Sequence, residues 1–283
     1  MNLSEIIIGG LDVEASDIHF IPFGETTRIF YRIRGVLLLQ MELETLKYQI
    51  FLQKIKANAQ MNISEKRLPQ DGILRDFGGA IRVSTLRSIH GESLVLRLFP
   101  ESIMTLEETG LSESSRKSLT DHLIQKSGIS LISGETGMGK STTLYAIMMM
   151  LRDKNFKVIS IEDPVEREIE GIVQSQINDM AGLSYEKAIF AALRQDPDYI
   201  AIGEIRNKET ANALIRSALT GHKVISTIHA HGYLNVKKRM MDFGIREEYL
   251  ETTLNMVMSQ RLQTHDKRRV LHVQFEFPED FME

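Results

Sequence analysis

The chain has no cysteine among its 283 residues. Disulfides and cysteine-ligated zinc sites are therefore excluded, and stability must come from a buried core, which a chain of this length can form. It also lacks any apolar run approaching the roughly 20 residues that span a bilayer. Its start, Met1-Asn2-Leu3-Ser4-Glu5, has neither the basic residues nor the apolar stretch of a secretory signal. Together these absences predict a soluble cytoplasmic protein that meets a membrane only through a partner. An excess of one charge is missing too. Lys and Arg number 34 against 38 Asp and Glu, a formal charge of −4. That balance, without interleaved basic and aromatic residues, argues against direct nucleic-acid binding. Internal repeats and low-complexity tracts are absent, and the length suits two domains.

What is present is dominated by one stretch, Gly134-Glu135-Thr136-Gly137-Met138-Gly139-Lys140-Ser141. It fits the phosphate-loop pattern G-x-x-x-x-G-K-[ST] at every fixed position. An apolar run at residues 128–133 precedes it, with the length of a buried parallel strand, and residues 142–152 follow as a helix. Glycines there let successive backbone N–H groups point into one concavity, and the helix N-terminus adds partial positive charge. In this pattern Lys140 reaches the β- and γ-phosphates of ATP and the Ser141 hydroxyl binds Mg²⁺, with Thr142 continuing the first turn.

Three later stretches sharpen the reading. Residues 161–166 read Ile-Glu-Asp-Pro-Val-Glu at the end of an apolar strand, where carboxylates face the ligand crevice of a parallel sheet. Glu166 suits a water-orienting base, and Glu162 or Asp163 suits the turn or the metal shell. Residues 198–206 read Asp-Tyr-Ile-Ala-Ile-Gly-Glu-Ile-Arg, an apolar strand ending in a carboxylate. This is the layout of a Walker B element, with Glu204 reaching the Mg²⁺ on Ser141 through a water. Arg206 is expected to pair with a neighbouring acid. Finally, His222 and His229 bracket a strand at residues 223–227, which puts His229 near the nucleotide end of the sheet. Strands at 157–161 and 199–203 alternate with helices at 184–194 and 208–219, and helices fill much of the remainder. Alternation of this kind predicts a mostly parallel sheet covered by helices on both faces.

The first hundred residues follow a different rhythm. A helix over residues 1–15 is followed by a strand hairpin at 17–22 and 27–34, turning at Pro22-Phe23-Gly24-Glu25. Helical spacing returns at 44–61, a turn is expected at Gln70-Asp71-Gly72, and strands at 80–86 and 93–99. Pro100 closes the block. The pattern predicts an α+β domain over 1–100, a linker over 101–113 and an α/β domain over 114–283.

These residues together resemble the secretion ATPase superfamily that powers type II secretion, type IV pili and competence pseudopili. Four boxes occur in order: the phosphate loop, the acidic box at 162–166, Gly203-Glu204, and the pair His222 and His229. The first block matches as well, in Ser16-Asp17-Ile18-His19, Tyr31-Arg32-Ile33-Arg34-Gly35-Val36, Glu65-Lys66-Arg67-Leu68-Pro69-Gln70-Asp71-Gly72 and Arg82-Val83-Ser84-Thr85. The resemblance covers about residues 16–262. It implies a RecA-like ATPase domain behind a smaller PAS-like domain. It further implies that Glu166 activates water, that Glu204 belongs to the metal site, and that His222 and His229 read the γ-phosphate. Arginines of the first block, of which Arg82 and Arg97 lie in matching stretches, would meet the nucleotide. The implied partners are further copies of the chain in a ring, as a hexamer, and a polytopic inner-membrane platform protein. Within the superfamily the trimmed layout is most like the competence pseudopilus ATPase of Gram-positive bacteria. A nucleotide switch with little turnover, a pilus retraction motor and a RecA-type helicase are the competing expectations.

Overall fold

The computed structural model describes residues 3–74, 80–98, 103–265 and 268–278. The chain divides into two compact units, Met1–Ser102 and Ile103–Glu283.

In unit 1, α1 (Leu3–Asp12) leads into β1 (Ala15–Phe23), β2 (Thr26–Ile33) and β3 (Val36–Glu44), then α2 (Thr45–Asn58), β4 (Gln70–Leu74), β5 (Ile81–Ser88) and β6 (Gly91–Arg97). The strands form an antiparallel sheet in the order β3-β2-β1-β6-β5-β4. Period-two alternation divides it into an apolar and a polar face. Ile18, Phe20, Ile29, Val83, Leu94 and Leu96 are buried and pack with Tyr48, Leu52 and Ile55 of α2. Between them on β1, β5 and β6 lie Asp17, Arg82 and Arg97. Asp17 is in register with both Arg32 and Arg97, and Arg97 with Arg82.

Two local readings change. Residues 36–43, to which the pattern assigns no element, form the edge strand β3 together with Glu44, which was expected to begin a helix, and Val36, Leu37, Leu38 and Leu39 are all exposed. Residues 70–72, a turn by composition, instead open β4. Gly72 is there for a close approach, since a Cβ on it would lie 2.7 Å from the Ala59 carbonyl oxygen. The expected strand end at Phe99 and the closing Pro100 lie outside the described residues.

Unit 2 contains α3 (Glu113–Gln125), β7 (Gly128–Ser133), α4 (Lys140–Asp153), β8 (Val158–Glu162), β9 (Val173–Gln176), α5 (Tyr185–Ala192), β10 (Tyr199–Ile202), α6 (Lys208–Leu219), β11 (Lys223–Ile228), α7 (Tyr233–Asp242), α8 (Glu247–Thr253), β12 (Leu254–His265) and β13 (Arg268–Glu276). The sheet order is β13-β12-β7-β11-β10-β8-β9, parallel except for the β12–β13 pair. Side chains alternate between two cores, as a sheet buried on both faces requires. Ile129, Leu131, Ile159, Ile161, Ile200 and Ile202 pack with α5 and α6. Ile132, Val158, Tyr199, Ala201 and Ile225 pack with α3 and α4.

The segment expected as a linker contributes to this second core. Leu106 and Leu111 are each 4% exposed within it, so the described part of that stretch from Ile103 onward belongs to unit 2. The end of the chain differs as well. Where helices were expected beyond α8, β12 and β13 form a long hairpin, with β12 running parallel to β7. Among the described residues no helix is long and apolar enough to cross a membrane.

Candidate active site

The carboxyl ends of β7, β8, β10 and β11 carry the phosphate loop, the acidic box, Gly203-Glu204 and His229, at the edge where an open parallel sheet receives its ligand. The phosphate loop links β7 to α4. Gly139 caps α4 in the left-handed region at φ 78°, which glycine enters without a Cβ penalty. Neither a capping side chain nor an acidic residue occupies the first turn of α4. Its leading N–H groups are thus left for an anion.

Lys140 is 7% exposed. Its Nζ donates to the carbonyl oxygens of Gly134 and Glu135, both at 2.8 Å, and lies 3.3 Å from His229 Nδ1. Burial pushes its pKa down, and the Glu204 carboxylate pulls in the opposite direction. On its other side, His229 Nε2 is 3.2 Å from Glu204 Oε2. A neutral imidazole serves both contacts when Nε2 carries the proton and Nδ1 accepts. Glu204 is also paired with Arg206, whose other nitrogen lies 3.4 Å from Asp163. Arg206 therefore has the acidic partners the sequence suggests. The structure brings Lys140, Glu204 and His229 into one chain of contacts.

The acidic box divides its carboxylates between two kinds of surroundings. Glu162 is 3% exposed. It accepts from Ser160 Oγ at 2.5 Å, from Gln174 Nε2 at 3.1 Å and from the Tyr145 hydroxyl. Burial raises its pKa, against the pull of those donors. Glu166 is half-buried, and its backbone N–H donates to the Tyr145 hydroxyl at 3.0 Å. Of the two tasks the sequence allowed Glu162, holding the turn is the one its contacts fit.

His222 departs from the expectation. It precedes β11 and His229 follows it, so six strand residues separate them, about 20 Å at 3.3 Å per residue. His222 Nδ1 lies 3.0 Å from Thr220 Oγ1. Within one chain the strand itself keeps His222 away from the phosphate loop. Arg82 and Arg97 belong to unit 1, where Arg97 Nε donates to Asp17 at 2.9 Å.

Two contributors escaped the sequence reading. Tyr145 looked like one more helical apolar residue. Gln260, 2% exposed on β12, donates to the Met138 carbonyl at 2.6 Å and accepts from Thr143 Oγ1 at 2.8 Å. A Cβ on Gly134 would sit 2.5 Å from the Gln260 carbonyl oxygen, which is why the loop must begin with glycine. In sequence Gln260 lies between Ser259 and Arg261, where one more polar residue gives no signal.

For magnesium, Ser141 offers an exposed hydroxyl at the start of α4 and Glu204 a carboxylate, both hard oxygen donors of the right kind. Arg206 and His229 already engage Glu204, so its contact with the ion would run through water. Among the described residues no group of three or more His, Asp or Glu is arranged as a metal cluster. A magnesium ion held mainly by phosphate, one hydroxyl and water does not need one.

A doubly covered parallel sheet with this loop and these strand ends defines a RecA-like nucleotide-binding protein. The chain belongs to the type II/IV secretion system protein family, whose model matches residues 2–276. It is 40% identical over 263 residues to type II secretion system protein E of Xanthomonas campestris pv. campestris, covering 91% of this chain and 46% of that one. It is 42% identical over 255 residues to the protein of the same name from Dickeya dadantii, covering 88% and 51%. The chain thus spans about half the length of these curated relatives. Among solved structures, the pilus retraction motor PilT with bound ADP superposes with a TM-score of 0.80 at 27% identity, covering 98% of this chain and 83% of that one.

Proposed function

We propose that the protein is an ATPase that converts ATP hydrolysis into mechanical work for a secretion or pilus-type assembly machine. The observation that carries this is the convergence of Lys140, His229 and Glu204 at the phosphate loop, beside a loop that presents Glu166. Lys140 exchanges the carbonyls of its own loop for β- and γ-phosphate oxygens. The N–H groups of residues 139–142 hold the phosphates, and Glu135, Thr136, Gly137 and Met138 form the cradle. Magnesium, when bound, neutralises charge on the β- and γ-oxygens. Glu166 takes a proton from water, the water oxygen bonds to the γ-phosphorus, and the bond from that phosphorus to the ADP oxygen breaks. His229, placed between Lys140 and Glu204, is suited to register the γ-phosphate.

Membership of the family and the PilT likeness support the wider reading. In it the protein works at the cytoplasmic face of a membrane, as a ring of copies, six by resemblance, against a polytopic platform protein. By resemblance, the system is a competence-type pseudopilus. A switch protein would not need both Glu166 and Glu204.

The test is ATP turnover in Lys140→Ala. Hydrolysis is expected to be abolished and nucleotide binding weakened, because a point charge on the phosphates is lost. Unchanged turnover would remove the phosphate-loop reading.

A further inference from the structure

The hydroxyl of Tyr145 has three partners, and they lie on both sides of the acidic box. It donates to Glu162 and accepts the N–H groups of Glu166 at 3.0 Å and Arg167 at 3.2 Å. A phenol has one proton and two lone pairs, so its capacity is full. Its orientation is fixed as well, because the two backbone groups can only donate and the proton must go to the carboxylate. Burial pushes the Tyr145 pKa well above its ordinary value, and the Glu162 charge adds to this. The group stays a protonated phenol under working conditions.

Glu162 is anchored in turn. Ser160 and Gln174 donate to its other oxygen. The Gln174 amide also donates to the Arg167 carbonyl at 2.9 Å and accepts from Ile169 N–H at 2.6 Å. The backbone from Glu166 to Ile169 is thereby tied to Tyr145, Glu162 and Gln174. With three donors on its oxygens and its exposure at 3%, Glu162 is closed off from bulk water.

Tyr145 also lies on the element that grips the nucleotide. It is five residues after Lys140 on α4, about 7.5 Å along the helix axis. Any displacement of α4 would reach the backbone of Glu166 through this hydroxyl.

We propose that Tyr145 is a positioning residue, which sets the Glu166 carboxylate against the phosphate held at the start of α4. The inference rests on the reading of Glu166 as the base. A base displaced by about 1 Å can lose two orders of magnitude in rate. Removing the phenol oxygen should therefore act on the chemical step more than on binding.

The experiment is a double-mutant cycle on the full chain with Tyr145→Phe and Glu166→Gln, reading kcat, the KM for ATP and the affinity for a fluorescent ADP. Tyr145→Phe is expected to lower kcat by about tenfold to a hundredfold, with KM and ADP affinity within about twofold of the parent. In the Glu166→Gln background it is expected to change kcat no further, since there is no base left to position. A kcat for Tyr145→Phe within twofold of the parent overturns the inference. So does an equal loss in both backgrounds, which would mark the phenol as a general support of the fold. The base assignment is judged separately, by Glu166→Gln alone, where normal turnover would remove it. Should Tyr145→Phe melt below the assay temperature, Glu162→Gln goes through the same cycle. It keeps the phenol but replaces the oxygen that receives its proton with an amide, and the same non-additive loss is expected.

Discussion

One buried amide braces the phosphate loop from behind. Gln260 satisfies both the Met138 carbonyl and the Thr143 hydroxyl, and it does so from β12. Leucine in its place has nearly the same volume but leaves two polar groups unpaired, at about 1–3 kcal/mol each. The cost falls on the loop and on the first turn of α4. Gln260→Leu is therefore expected to weaken ADP binding by at least about fivefold, the lower end of that range, beyond any loss of thermal stability. A fluorescent-ADP titration beside a melting curve checks this; unchanged affinity would show that the loop holds its shape without the amide. Residue-scale legibility follows the same line. Lys140, Glu204 and His229 were readable because their partners lie within motif-bearing strand ends. Gln260 and Tyr145 were not, because the groups they serve are 117 and 21 residues away in sequence.

At the scale of elements, α2 is clasped to the sheet of unit 1 by a charge pair hidden from water. Lys56 and Glu92 side chains are 1% and 6% exposed, and Lys56 Nζ donates to Glu92 at 2.5 Å and to the Glu65 carbonyl at 2.7 Å. Truncating one partner strands a buried charge, which costs about 3–5 kcal/mol, whereas replacing both by apolar residues is often neutral. Urea denaturation is expected to show Glu92→Leu destabilised by about that amount, with most of it recovered in Lys56→Met/Glu92→Leu. A double variant as weak as the single would mean that the tie to the Glu65 loop carries the stability instead. Elements were legible where period and length agreed, as in β7, α4, β10 and α6. They were missed where the pattern is ambiguous. Val36 to Leu39 is a continuous apolar run on an exposed edge. Leu254 to Met258 is buried on both faces of β12, so neither stretch alternates. The acidic and glycine residues at 70–72 look like a turn, and only the close approach of Ala59 explains them.

For the whole molecule, the division into two units was visible as a change of rhythm near residue 100, while the expected linker was not separate, because Leu106 and Leu111 enter the core of unit 2. What the polar face of unit 1 does for turnover is the remaining question at this scale. Arg82 and Arg97 stand in register there, and we propose that they serve the transferred phosphoryl group. They are not equivalent probes. Arg97 is already paired with Asp17, which is 5% exposed. Burial pushes the Asp17 pKa up, but hydrogen bonds from Arg97 and Ser16 and the Arg97 charge outweigh it, and the net result lies below the ordinary 3.8. A carboxylate with a lowered folded-state pKa stabilises fully above its unfolded value and loses that contribution as pH falls through the lowered one. At neutral pH the pair is therefore intact, and Arg97→Ala would leave the buried carboxylate only the longer Arg32 contact at 3.8 Å and the Ser16 hydroxyl, mixing a stability loss with any catalytic one. Among the described residues Arg82 has no ion-pair partner, so its removal is the cleaner experiment. Arg82→Ala is expected to lower ATP turnover by at least about tenfold, in the manner of an arginine that offsets phosphoryl charge, with ADP affinity and melting temperature nearly unchanged. Steady-state hydrolysis at saturating ATP checks it. Parental turnover in Arg82→Ala would make this arginine an ordinary strand-face charge, worth a few tenths of a kcal/mol, and would return the search for a phosphoryl-facing cation to unit 2, where Arg206 already touches Glu204.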